Sequence, residues 1–211
     1  MLATAAPVST APRDPTELRT DIRGAYVFDR ARFERTLARP VKHRQAIAWP
    51  ELDSGSGLHY AQNALRAYAD GFDGGPAAIH VAVVVYGTAI LALLPQPTWK
   101  AFSLATYVDR LDAARRLGSM ARSGEAINPY LDRVEALAKD DVTFFVCNNA
   151  LHGVTQAIAS NPESHGAGTD EVYAAFASAI VPLPYAQIVP AGIAALNAAQ
   201  EARFTFFQAS I

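Results

Sequence analysis

The sequence predicts an α/β fold, with three layers α/β/α around a mainly parallel five-stranded sheet. Short β-branched or aromatic runs alternate with amphipathic stretches from one end of the chain to the other, the pattern of strand-helix units sharing one sheet. The two strongest runs, HVAVVVYG at 80–87 and VTFFVC at 142–147, are nearly continuous in apolar residues, as strands covered on both faces are. At 211 residues, 51% hydrophobic and 18% charged, the chain is long enough to bury the core of one such domain. The expected division is a flexible tail over 1–24, rich in Ala, Pro, Ser and Thr, and a single domain over 25–211.

Taken in order, Asp29 caps a short helix over 30–38, with Phe33 and Leu37 four apart and Pro40 ending it; it reads as an N-terminal addition. Residues 43–49 (HRQAIAW) are a strand, and 50–57 a turn-rich connection. Leu58, Ala61, Leu65, Tyr68 and Phe72 then recur at helical spacing until Gly74, Gly75 and Pro76 stop the helix. The strand 79–86 follows, and Gly87 and Thr88 open a helix that Pro95 and Pro97 end. Between 99 and 127 the pattern is weaker, with a helix around 107–117 and the segment GSMARSGEA, and a lid or an oligomer contact is expected there. Asn128 and Pro129 begin a helix with Leu131, Val134, Leu137 and Ala138 on one face. It leads into the strand ending at Cys147 and a helix over 150–160. After the loop 161–168, Thr169 caps the helix 170–180. A short strand at 187–190, the turn Ala191-Gly192, a helix over 193–202 and a final strand at 204–208 complete five strands. Their order in the sheet is not contained in this alternation.

Composition excludes several classes. A net charge of −2 with scattered Lys and Arg leaves no basic field for nucleic acid. One cysteine makes no internal disulfide. The N-terminus lacks the basic and apolar regions of a secretory signal. The apolar stretch 77–94 breaks at Tyr86-Gly87 into strand and helix, so no membrane span is expected. The five histidines have no metal-site spacing, and no GxSxG elbow, Gly-rich phosphate fingerprint or facing carboxylate pair is present. Neither metal nor cofactor is expected.

Cys147 stands where a strand hands over to a helix, at the carboxyl end of the sheet, where ligands bind in open α/β folds and where a helix N-terminus favours thiolate. Two readings stay open for it: a nucleophilic thiolate, or a small buried hydrophobe. Asn148 and Asn149 read as helix caps that also offer donors to an anion, and His152 as a surface residue or a base. Gly87 and Thr88, with Pro190, Ala191 and Gly192, follow neighbouring strands and would line one crevice with the cysteine. Tyr86 and Trp99 are candidates for its walls or for the core. The aromatic end FTFFQASI is costly to leave in water, which predicts self-association.

HVAVVVYG (80–87), VTFFVCNNAL (142–151), IVPAGIAALNAAQ (188–200) and the terminal FTFF, in this order and spacing, resemble the DsrE/DsrF-like family of sulfur-relay and sulfur-oxidation proteins over 79–208. The resemblance implies the three-layer fold, a homo-oligomer (trimer or hexamer), and a cysteine that carries sulfur as a persulfide; only Cys147 matches it. It also implies a sulfurtransferase-like exchange with a donor or acceptor protein, and a cytoplasmic location, or a periplasmic one had a signal segment been removed. The alternative is a non-catalytic oligomeric module that binds a small ligand or partner, with Cys147 structural.

Overall fold

The computed structural model describes residues 26–72, 74–115, 118–122, 125, 127–162 and 166–209. The tail expected over 1–24 lies outside them, as do His165 and the last two residues of FTFFQASI. Five parallel strands form one sheet: β1 (His43–Trp49), β2 (Ile79–Val85), β3 (Thr143–Cys147), β4 (Ala186–Val189) and β5 (Thr205–Gln208), in the order β4-β3-β2-β1-β5. The class is α/β with helices on both sides of the sheet, and all the strands are parallel.

Alternation along the strands divides the core into two. Ile47, Trp49, Val81, Val83, Val85, Phe144, Val146 and Ile188 point to one face. There they meet α2 (Ser56–Asp70), α3 (Gln96–Ala101), α4 (Leu104–Arg115), α5 (Leu131–Lys139), α6 (Asn148–Ala159) and α7 (Thr169–Ile180). Ala46, Ala48, Ala82, Val84, Phe145 and Val189 point to the other face, against α1 (Arg30–Leu37) and α8 (Gly192–Glu201). The small side chains on this second face let α8 lie across the sheet as it carries the chain from β4 at one edge to β5 beyond β1.

Several expectations are corrected. The N-terminal helix is no mere addition: Phe33 and Leu37 are buried in the second core, and the Phe33 ring meets Phe145 edge-on at 4.9 Å. Asp29 caps it as expected, its carboxylate accepting from the Arg32 N–H at 2.8 Å. The chain after β2 runs as a seven-residue 3₁₀ helix, Gly87–Leu93, not an α-helix. Gly87 has φ +54°, and a Cβ there would stand 2.2 Å from the Pro50 carbonyl oxygen, so glycine lets the β1 loop cross close to β2. Part of the segment 99–127, expected as a lid or oligomer contact, reaches into the core. Trp99 is buried and its indole N–H donates to the Leu91 carbonyl at 2.8 Å; Leu104, Val108 and Ala121 are buried with it. Its burial also answers the question of whether Trp99 walls a crevice: it is core. Thr169 is the first residue of α7, and no side chain caps that helix; Asp170 and Glu171 in its first turn suit the helix dipole instead.

The two sheet edges differ. At β4, Arg32 donates to the carbonyls of Pro184 (2.6 Å) and Ala186 (3.1 Å), and the Gln187 amide donates to the Asp29 carbonyl (2.6 Å), so the chain before and within α1 covers the edge. At β5 all four residues are exposed, Phe206 and Phe207 among them.

Candidate functional site

The register sets the site. Val85 pairs with Val146 and Cys147 with Val189, so Tyr86, Cys147 and Val189 stand in one row at the carboxyl ends of the three strands. By alternation from Val84 and Phe145, Tyr86 and Cys147 project to the α8 side of the sheet.

Strand β3 passes into α6 without a loop, and this overturns the capping expected of the asparagines. Cys147 is itself the N-cap of α6, its sulfur accepting from the Ala150 N–H at 3.4 Å. Asn148, already helical and buried, accepts the Tyr173 hydroxyl at 2.7 Å through Oδ1. Asn149 is exposed in the first turn. His152, one turn further, is half-buried and lies flat on the Tyr173 ring, centroids 4.0 Å apart and planes 2° apart. It thus belongs to the seam between α6 and α7. Tyr173, which organises both residues, carries no signal in the sequence beyond its place on the apolar face of its helix.

A second helix N-terminus reaches the sulfur. A Cβ on Gly192, the first residue of α8, would lie 3.1 Å from the Cys147 Cβ, 3.3 Å from a Val84 methyl and 3.6 Å from Sγ; glycine therefore lets the start of α8 press onto the cysteine. The N-cap of α8 is Ala191, which supplies no side-chain acceptor, so the first-turn N–H groups of α8 are uncapped beside the thiol. Tyr86, half-buried, closes the row. Burial pushes its phenol above the usual range, and charge on Cys147 pushes it the same way. Pro190 is exposed in the turn between β4 and α8, and with Ala191 it borders a groove of about 580 Å³ between α1 and α8, walled by Phe28, Phe33 and Leu37.

The structure does not bring every expected residue to this place. Gly87 and Thr88 line a separate crevice of about 300 Å³ on the α6 side, with Glu51, Tyr107, Ala150 and Gly153. The Thr88 hydroxyl accepts the Leu52 N–H at 2.9 Å, tying down the loop after β1. Cys147, Pro190, Ala191 and Gly192 form one group, and Gly87 and Thr88 another. Among the described residues, no three His, Cys, Asp or Glu side chains gather as a metal site, and no helix is long and apolar enough to cross a membrane.

No family model and no curated protein matches the chain. Among solved structures, the chain is similar to that of a protein of unknown function, MTH1491, from Methanobacterium thermoautotrophicum. The identity is 16% and the TM-score 0.42, over 79% of this chain and 98% of that one.

Proposed function

We propose that this protein is a DsrE-like sulfur carrier in which Cys147 accepts a sulfane sulfur and passes it to a partner thiol. The observation that carries the reading is the convergence of two helix N-termini on one sulfur: α6 donates its Ala150 N–H to Sγ, and α8 begins against it at Gly192. Both dipoles favour negative charge there, which suits a thiolate before transfer and a persulfide anion after it. In the loading step the thiolate attacks the outer sulfur of a donor persulfide R–S–SH. The Sγ–S bond forms, the donor S–S bond breaks, and R–S⁻ leaves. In the unloading step an acceptor thiolate attacks the outer sulfur of Cys147–S–SH and releases the Cys147 thiolate.

The test is intact mass spectrometry after incubation with glutathione persulfide. Wild type gains one sulfur, about 32 Da, that reductant removes, and Cys147→Ser gains none. No adduct on wild type, together with a thiol inert to alkylation in the folded state, supports the second reading, a binding module with a structural cysteine. The observation favouring that one is burial: Cys147 is only 8% exposed.

Self-association goes with the same reading. The uncovered β5 edge carries Phe206 and Phe207, and Ile193, 77% exposed, follows Gly192 on α8 and shares a surface trough with Phe206. The expected state is a trimer or hexamer by light scattering at micromolar concentration, and Phe206→Glu should shift it toward the monomer. A monomeric wild type refutes assembly.

A further inference from the structure

The crevice that holds Gly87 and Thr88 has features that the Cys147 site does not explain. It lies at the carboxyl ends of β1 and β2, on the α6 side of the sheet, and has a volume of about 300 Å³, at the lower end of small-molecule pockets. Leu111, Ala150, Val154 and Ala157 make its lining largely apolar. Glu51 is its one lining residue with a formal charge at neutral pH, and the Glu51 carboxylate has no hydrogen bond or ion pair with any other described residue. A lone carboxylate lining a largely apolar pocket selects for a cation or a strong donor.

The second feature is Gly153. It sits in the middle of α6, where glycine is the least favourable residue after proline, and it lines the crevice. A Cβ there would meet nothing within 4 Å among the described residues, and its φ is not in the left-handed region, so neither their packing nor the backbone conformation calls for glycine. The absent side chain leaves bare helix backbone in the lining that Pro50, Glu51 and Thr88 share, with Ala150 and Ala157 one turn to either side. With no Cβ at this position, a molecule in the crevice can approach the α6 backbone closely.

We propose that this crevice binds a small primary amine with a compact apolar body, the ammonium on Glu51 and the body against α6 at Gly153. The site is independent of sulfur transfer, since Cys147 projects to the opposite face of the sheet.

The probes are phenethylamine, cyclohexylmethylamine and isopentylamine, titrated calorimetrically into the full chain, with 3-phenylpropanoate as the control that replaces ammonium by carboxylate. At least one amine binds saturably and the carboxylate does not. Glu51→Gln weakens that binding by about 10-fold to 100-fold, the worth of one charge-assisted hydrogen bond. Gly153→Ala raises Tm by about 2–4 °C through helix propensity, yet weakens the amine by about 10-fold or more because the methyl fills the contact. The proposal is overturned if none of the three amines binds, if the carboxylate binds equally, or if Gly153→Ala binds as well as wild type. A lower Tm in Gly153→Ala overturns it too, since the glycine then serves the fold.

Discussion

Asn128→Ala lowers the stability of the folded chain by about 4 kcal/mol and Tm by about 10 °C, with the denaturant m-value unchanged. Asn128 is buried, and its amide ties two distant segments together. Nδ2 donates to the carbonyls of Ala92 (2.9 Å) and Leu94 (2.8 Å), and more weakly to that of Leu91 (3.4 Å), where the 3₁₀ helix ends. Oδ1 accepts the Tyr130 N–H at 2.9 Å. The Asn128 backbone N–H donates to the Gln96 side chain at 2.6 Å, which closes the link. The Leu91 carbonyl keeps its bond from Trp99 in the variant, but the other two carbonyls and the Tyr130 N–H lose theirs where water does not reach. Each such orphan costs about 1–3 kcal/mol. Asn128→Asp separates geometry from chemistry: it has nearly the same shape but sets a carboxylate against three carbonyl oxygens, so at pH 7 it is no better than alanine. Equilibrium urea unfolding measures both, and a loss under 1 kcal/mol for Asn128→Ala would show that the tie is dispensable.

Nothing around Asn128 in the sequence announces this role, since Asn128-Pro129 reads simply as the start of a helix. The strands were legible for a different reason. Runs such as 79–86 and 142–147 are nearly continuous in apolar, mostly β-branched or aromatic residues, and burial on both faces demands just that. Sheet order was not legible, because whether the last strand joins β4 or crosses to β1 depends on where α8 packs; the small Ala46, Ala48 and Ala82 side chains beneath it show that only when the strands are aligned.

The candidate site was half legible. Position at the carboxyl end of a buried strand pointed to Cys147, and the Gly192 turn was expected to line the same crevice; the two do meet. The βα turns do not share one crevice, however, because they leave the sheet on different sides. Tyr86 continues the alternation of β2 toward α8, whereas Gly87 turns to the opposite face, where Thr88 bonds the β1 loop. Asn148 does not cap α6 because a strand joined to a helix without a loop leaves no residue free to cap except the last of the strand, which is the cysteine itself.

The pH dependence of stability has its own source at the other end of the sheet. His80 on β2 is 2% exposed; its Nε2 is 3.3 Å from the Thr143 hydroxyl, its Nδ1 has no partner among the described residues, and its ring meets Phe204 edge-on. Burial lowers its pKa from 6.5 to about 4, the nearby Arg39 and Arg44 cations add to this, and Asp141, ion-paired with Arg39, opposes it. Between about pH 4 and 6.5 the unfolded chain therefore binds a proton at this histidine that the folded chain does not, so stability rises with pH across that window. The contribution is complete at pH 7, is lost as pH falls toward 4, and amounts to about 3 kcal/mol over the window. His80→Gln cannot take up that proton in either state, and Gln is long enough to reach the Thr143 hydroxyl. Whatever the substitution costs at pH 7, the gap between wild type and variant should move by about 3 kcal/mol in the variant's favour by pH 4. Urea unfolding of both proteins at half-unit pH steps measures the gap, and a constant gap from pH 7 to pH 4 would place the acid sensitivity in the carboxylates instead.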